Sequence, residues 1–167
     1  MMKKDTYKIC IIGMPGSGKT TVGKVISQKL NYKFFDTDEE IETITKLKIR
    51  EIFKYNGESN FREIETRVLK SLINKNEIVI STGGGVILKN QSILRKTFNI
   101  YLKCDLDVLV KRALRNHNRP LLLNDVERNM KILLKQRKDI YNKIADLEID
   151  ATSKLQNTIV NIIDKLP

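Results

Sequence analysis

The chain has no tryptophan, one histidine, two cysteines and three prolines in 167 residues. Each scarcity excludes a class of function. Cys10 and Cys104 form no metal-ligand spacing, and the lone His117 cannot complete a zinc site. Both cysteines lie in apolar segments, which fits buried free thiols in a reducing cytoplasm. No apolar run approaches the roughly 18 residues of a membrane span. Met1-Met2-Lys3-Lys4-Asp5 leads straight into a strand-like run, without a signal-peptide core. The five Phe and five Tyr sit mostly inside apolar runs, so no aromatic stacking set for nucleic acid is visible. The expected protein is cytoplasmic and works on neither membrane nor nucleic acid.

Positive charge is not scarce. Lys and Arg number 31 against 20 Asp and Glu, a formal net charge of +11. The lysines are spread along the chain rather than clustered. That favours a basic surface around a site for anionic ligands over a nucleic-acid patch.

The most informative segment comes early. Lys8–Ile12 is apolar and β-branched, as a buried parallel strand should be. Gly13-Met14-Pro15-Gly16-Ser17-Gly18-Lys19-Thr20 follows at once and fits G-x-x-x-x-G-K-[ST], the phosphate-cradling P-loop. Glycines let successive backbone N–H groups turn inward onto phosphate oxygens, with Gly16, Ser17 and Gly18 at the centre of the curl. Lys19 adds a charge within reach of the β- and γ-phosphates, and the Thr20 hydroxyl is placed for Mg²⁺. Val22, Val25, Ile26 and Leu30 then recur at helical spacing, so a helix opens on the loop and aims its positive end at the same anion.

Strand and helix alternate to the end of the chain, which predicts one α/β domain with a parallel sheet. Strands are expected at 8–12, 33–35, 78–81, 99–102 and 147–149. Helices are expected to about residue 30 and over 39–45, 49–55, 58–74, 91–95, 106–114, 126–144 and 155–165. Ligands bind at the carboxyl ends of such strands. Three features collect there: the P-loop, Asp36-Thr37-Asp38, and Gly83-Gly84-Gly85. On an extended segment Asp36 and Asp38 face the same way. One carboxylate can approach Mg²⁺ beside Thr20, and the other can orient or deprotonate an acceptor hydroxyl. Helix capping is the competing use of this triplet. Three consecutive glycines are costly in backbone entropy, and close approach to a ligand would explain them. Arg62 and Arg137 taken singly read as surface charge. Arg119, beside Pro120 in a polar loop, is placed to close over a nucleotide and stabilise transition-state charge.

In this order and spacing the residues resemble the shikimate kinase family, within the nucleoside-monophosphate-kinase-like P-loop proteins. The resemblance rests on the P-loop octet and Phe35-Asp36-Thr37-Asp38. It continues through Ile52-Phe53 with Gly57-Glu58, Phe61-Arg62 with Glu65, and Thr82-Gly83-Gly84-Gly85. Arg119-Pro120-Leu121-Leu122 and Arg137 with Tyr141 complete it, so it spans about residues 7–150. It implies a P-loop NTPase fold with a five-stranded parallel sheet in the order 2-3-1-4-5. It also implies a substrate-binding subdomain at about 37–63 and a lid at about 113–125. The implied reaction is ATP-dependent phosphorylation of the shikimate 3-hydroxyl by a monomer. Asp38, Arg62, Gly83, Gly84, Gly85 and Arg137 would hold shikimate. Gly16, Ser17, Gly18, Lys19, Thr20, Thr21 and Arg119 would handle ATP and Mg²⁺, while Arg112 and Lys154 fall near the adenine.

The chemistry agrees. A small ring acid with three hydroxyls calls for guanidinium forks at its carboxylate and an ionised acceptor at its hydroxyls. The sequence departs from the usual pattern at the metal. No apolar run ends in an Asp that would serve as the conventional metal carboxylate, so that duty falls to Asp36. Two other readings remain: a kinase of the same fold acting on gluconate, and a nucleotide- or nucleic-acid-binding module without kinase activity. Lys19→Ala is expected to abolish phosphate handling. Full ATP turnover in that variant would contradict the P-loop reading.

Overall fold

The computed structural model describes residues 7–115 and 125–166. Five strands, β1 (Lys8–Ile12), β2 (Lys33–Asp36), β3 (Ile78–Ser81), β4 (Phe98–Lys103) and β5 (Leu147–Asp150), pair in parallel in the order β2-β3-β1-β4-β5. The helices are α1 (Lys19–Leu30), α2 (Thr37–Thr45), α3 (Ile49–Leu72), α4 (Gln91–Leu94), α5 (Leu106–Leu114), α6 (Val126–Ile144) and α7 (Leu155–Lys165). A single 3-10 turn covers Val86–Leu88.

The central strands are apolar on both faces because both faces are covered. Along β1, Ile9 and Ile11 join a core with Val22 and Ile26 of α1 and Ile159 and Ile162 of α7. Cys10 and Ile12 point the other way, into a core with Leu69 and Leu72 of α3, Leu109 of α5 and Tyr141 of α6. Successive side chains of a strand face opposite sides, so one short run serves two layers. Each fully buried Ile or Leu contributes about 1.5–3 kcal/mol. Cys10 and Cys104 are both buried free thiols, and burial pushes the Cys10 thiol up to about 12.

The helices expected at 49–55 and 58–74 run together as α3, and the break between them falls at Gly57, whose φ of 76° and ψ of 169° are non-helical. One feature of the fold differs from the periodicity reading. The segment after β2 is not extended: α2 starts at Thr37 and Asp36 caps it. No helix among the described residues is long and apolar enough to cross a membrane.

Gly57 occupies a region of backbone space that is open almost only to glycine. Nothing lies within 4 Å of where its Cβ would be, so a substitution there meets strain without a clash. Gly57→Ala is expected to cost about 1–3 kcal/mol of stability, read as a lower midpoint in urea denaturation.

Candidate active site

The site is built at the carboxyl edge of the sheet. Register puts Ile11, Ser81 and Asp36 in one row across β1, β3 and β2. The P-loop leaves β1 one residue later. It ends in Gly18, the N-cap of α1 in the left-handed conformation at φ 93°. Gly18 supplies no side-chain acceptor, and no acidic residue stands in the first turn of α1. The first N–H groups of α1 and its positive dipole end therefore remain for an outside anion. Helix α2 is the opposite case. Asp36 Oδ1 accepts from the Asp38 amide at 3.0 Å, and Asp38, Glu39 and Glu40 fill its first turn.

Inside the loop Lys19 is buried, and its Nζ donates to the Gly13 carbonyl at 3.0 Å and the Met14 carbonyl at 2.9 Å. The Ser17 hydroxyl is buried and has no protein partner. An orphaned hydroxyl, an uncapped helix start and a buried ammonium in one loop fit a polyphosphate. Thr20 Oγ1 donates to Asp36 Oδ2 at 2.7 Å and lies 3.3 Å from Ser81 Oγ. Two hydroxyls and one carboxylate make a hard oxygen set suited to Mg²⁺. This ion keeps several waters and leans on substrate phosphates rather than on a protein cage. The described residues hold no group of three or more His, Cys, Asp or Glu able to bind a metal.

The second half of the site faces this loop. Each residue of Asp36-Thr37-Asp38 has a separate task. Asp36 caps α2 and accepts from Thr20. The fully buried Thr37 accepts from the Gly83 amide at 2.9 Å through Oγ1. Exposed Asp38 directs Oδ1 at Gly83, 3.1 Å from where a Cβ would stand. Arg62, near the middle of α3, is only 5% exposed. Its Nη1 donates to Glu65 Oε2 at 2.8 Å, and its Nη2 and Nε donate to Glu58 Oε1 at 3.1 and 3.3 Å. Arg137 of α6 is 3% exposed. Surface charge is therefore the wrong description of either arginine.

These groups feel one another. Burial pushes the Glu65 carboxyl above its ordinary range; Arg62 pulls it back, Asp38 pushes it further up, and Arg137 pulls it down. Burial works against the Arg62 charge, but Glu65 and Glu58 outweigh it and raise its pKa. Arg62 thus stays a cation inside the protein. Glu65 Oε1 and Arg137 Nε are buried without a protein partner.

The glycine triplet has a steric reason of its own. A Cβ on Gly85 would lie 2.3 Å from Arg62 Nη2 and 2.6 Å from its Cζ. One on Gly84 would lie 2.9 Å from Pro15 Cδ, and one on Gly83 2.7 Å from Glu65 Oε1. The triplet wedges the arginine–glutamate pair against the P-loop.

Of the other candidates, Thr21 is exposed on α1, and Gly16 packs its backbone against α5. Arg112 of α5 braces the loop, donating at 3.3 Å to both the Gly16 and Ala151 carbonyls. Lys154 is exposed at the N-cap of α7, in the segment that follows β5. Arg119, His117 and residues 116–124 of the expected lid lie outside the described residues. Sequence reasoning gave no role to Ser81, Glu58 or Tyr141, and offered Thr37 only as a helix cap, a task that falls to Asp36. Tyr141 is fully buried and its hydroxyl donates to the Gly84 carbonyl.

A parallel sheet in this order, with a P-loop on its central strand facing a buried arginine pair, defines a P-loop phosphotransferase for a small anionic acceptor. A family model described as shikimate kinase matches residues 15–167. A shikimate kinase of Microcystis aeruginosa is 45% identical over 161 residues, covering 95% of this chain and 83% of its own. One of a Sulfurihydrogenibium species is 38% identical over 158 residues, covering 93% and 94%. The solved shikimate kinase from Acinetobacter baumannii, in complex with shikimate, superposes with a TM-score of 0.92. It is 33% identical, with 96% of each chain covered. The chain belongs to the shikimate kinase family, and its activity is ATP-dependent phosphoryl transfer. A gluconokinase from Sinorhizobium meliloti is similar at a TM-score of 0.58 and 18% identity, a likeness of fold alone.

Gly85→Ala is expected to displace the Arg62 guanidinium. The acid-dependent kcat/KM should fall by two orders of magnitude or more, on the order of the loss seen when alignment fails by about 1 Å. ATP affinity should stay within twofold, measured by equilibrium binding.

Proposed function

We propose that this shikimate kinase transfers the γ-phosphoryl group of ATP to the 3-hydroxyl of shikimate, giving 3-phosphoshikimate and ADP. The observation that carries the acceptor site is the pair of buried arginines, Arg62 and Arg137, with Asp38 and Arg62's partner Glu65 meeting at Gly83 of the triple-glycine loop. Two guanidinium forks hold the carboxylate of the ring and fix its orientation. Asp38 accepts from the ring hydroxyls and either orients the reacting one or takes its proton. Gly83, Gly84 and Gly85 present backbone close to the ring.

On the other side, the N–H groups of Gly16, Ser17, Gly18, Lys19, Thr20 and Thr21 receive the phosphates, with Lys19 on the transferring group. Thr20 and Asp36 would hold Mg²⁺, directly or through water, and the ion would supply neutralisation of phosphate charge there. Arg112 and Lys154 flank the adenine, and Arg119, which lies outside the described residues, is assigned to stabilise charge as the phosphoryl group moves. The catalytic set is Lys19, Asp38 and Arg119. Residues 37–63 form the acceptor-binding subdomain of a single kinase domain, acting as a cytoplasmic monomer.

A coupled assay for ADP release with Mg²⁺–ATP tests the substrate. Turnover should depend on shikimate and be absent with gluconate or with no acceptor. Asp38→Asn and Arg62→Ala should each lower that turnover about 100-fold or more while ATP still binds. Normal rates in both variants would remove the acceptor-site assignment, and turnover only with gluconate would overturn the substrate.

A further inference from the structure

Tyr141 lies one helical turn beyond Arg137 on α6 and is 0% exposed. Its ring stacks on Tyr101 of β4, with centroids 4.9 Å and planes 18° apart. Tyr101 in turn pairs in register with Ile12, the residue before the P-loop. A phenylalanine would keep that stack and that burial, so packing does not require the hydroxyl. The hydroxyl is nevertheless used. It donates to the Gly84 carbonyl, and the Arg137 guanidinium sits near enough to pull its pKa down. A phenol that donates keeps acceptor lone pairs that a neighbouring cation favours. On its far side Gly84 rests against Pro15 of the P-loop, with no room for a Cβ. The Gly84 peptide is thus clamped between α6 and the phosphate loop. Burial drives the Tyr141 hydroxyl well above its ordinary pKa, although Arg137 pulls it down. It remains a neutral donor at any working pH.

We propose that Tyr141 is a positioning residue for the acceptor acid: its hydroxyl fixes the Gly84 carbonyl, beside Arg137, at a set distance from the P-loop. This rests on the reading of Arg137 and Gly84 as acceptor contacts. Tyr141 itself touches neither ATP nor the transferring group.

The consequence is selective. Loss of the hydroxyl leaves the Gly84 carbonyl without its donor, but spares the hydrogen bonds of Lys19 and Thr20. Tyr141→Phe should therefore raise the KM for shikimate about three- to tenfold, the scale of one hydrogen bond. The KM for ATP should stay within twofold. Arg137→Ala should raise the KM for shikimate far more, about 100-fold. A lower thermal midpoint with both KM values unchanged would show a structural role only and overturn the proposal. So would equal rises in both KM values. An unchanged KM for shikimate in Arg137→Ala would instead overturn the carboxylate subsite, and the role of Tyr141 with it.

Discussion

The arrangement depends on keeping a guanidinium charged while it is almost wholly buried. Removing Arg62 from water is expensive, and an unpaired buried ion of this kind would cost several kcal/mol. Glu65, fully buried, and Glu58, half exposed, supply the counter-charge and three hydrogen bonds. The pair then needs space beside the phosphate loop, and the glycine triplet provides it by having no side chains. A single methyl at Gly85 would occupy the position of the guanidinium. Charge, burial and glycine content at this point are one constraint seen three ways. The acceptor end of the site cannot be built without all three.

The nucleotide end is governed by helix termini. Helices α1 and α2 both begin at the carboxyl edge of the sheet, yet they treat their free N–H groups in opposite ways. Asp36 and the acidic first turn satisfy α2 from within the chain. Helix α1 begins on Gly18 with neither cap nor acid. An uncapped helix start is a local cost to stability, offset when phosphate is bound. Asp36 links the two ends. One of its oxygens caps α2 and the other accepts from Thr20 on α1, so a single carboxylate sets the spacing between the phosphate loop and the helix that carries Asp38.

Much of this was legible in the residues, and the remainder was hidden for identifiable reasons. The P-loop and the alternation of strands and helices are local patterns, and the sheet order followed from the resemblance. Thr20 and Asp36 could be paired on chemistry before any coordinates. The division of labour within Asp36-Thr37-Asp38 could not, because it turns on where α2 begins. An extended segment puts both carboxylates on one side, whereas a helix starting at Thr37 makes one a cap and sends the other toward Gly83. Arg62 and Arg137 carry no sign of burial in their own neighbourhoods; only the facing Glu65, Glu58 and glycine loop reveal it. Ser81 is a serine ending an apolar strand, and it gains meaning only when register sets it beside Asp36 and Thr20.

The fold by itself does not choose the acceptor. A gluconokinase shares the architecture at 18% identity, and gluconate also offers one carboxylate and several hydroxyls. Selection must come from how rigidly the carboxylate subsite is held, since a flexible polyol can adapt to loosely placed arginines and a ring cannot. The proposed subsite is held on several sides. Arg62 is fixed by two glutamates, and the glycine loop by Thr37 at Gly83 and by the Tyr141 phenol at Gly84. Glu65 Oε1 and Arg137 Nε remain buried without protein partners. Polar atoms left unmatched beside a rigid subsite penalise any ligand that cannot meet them, so hydrogen bonding adds to the selection that rigidity makes.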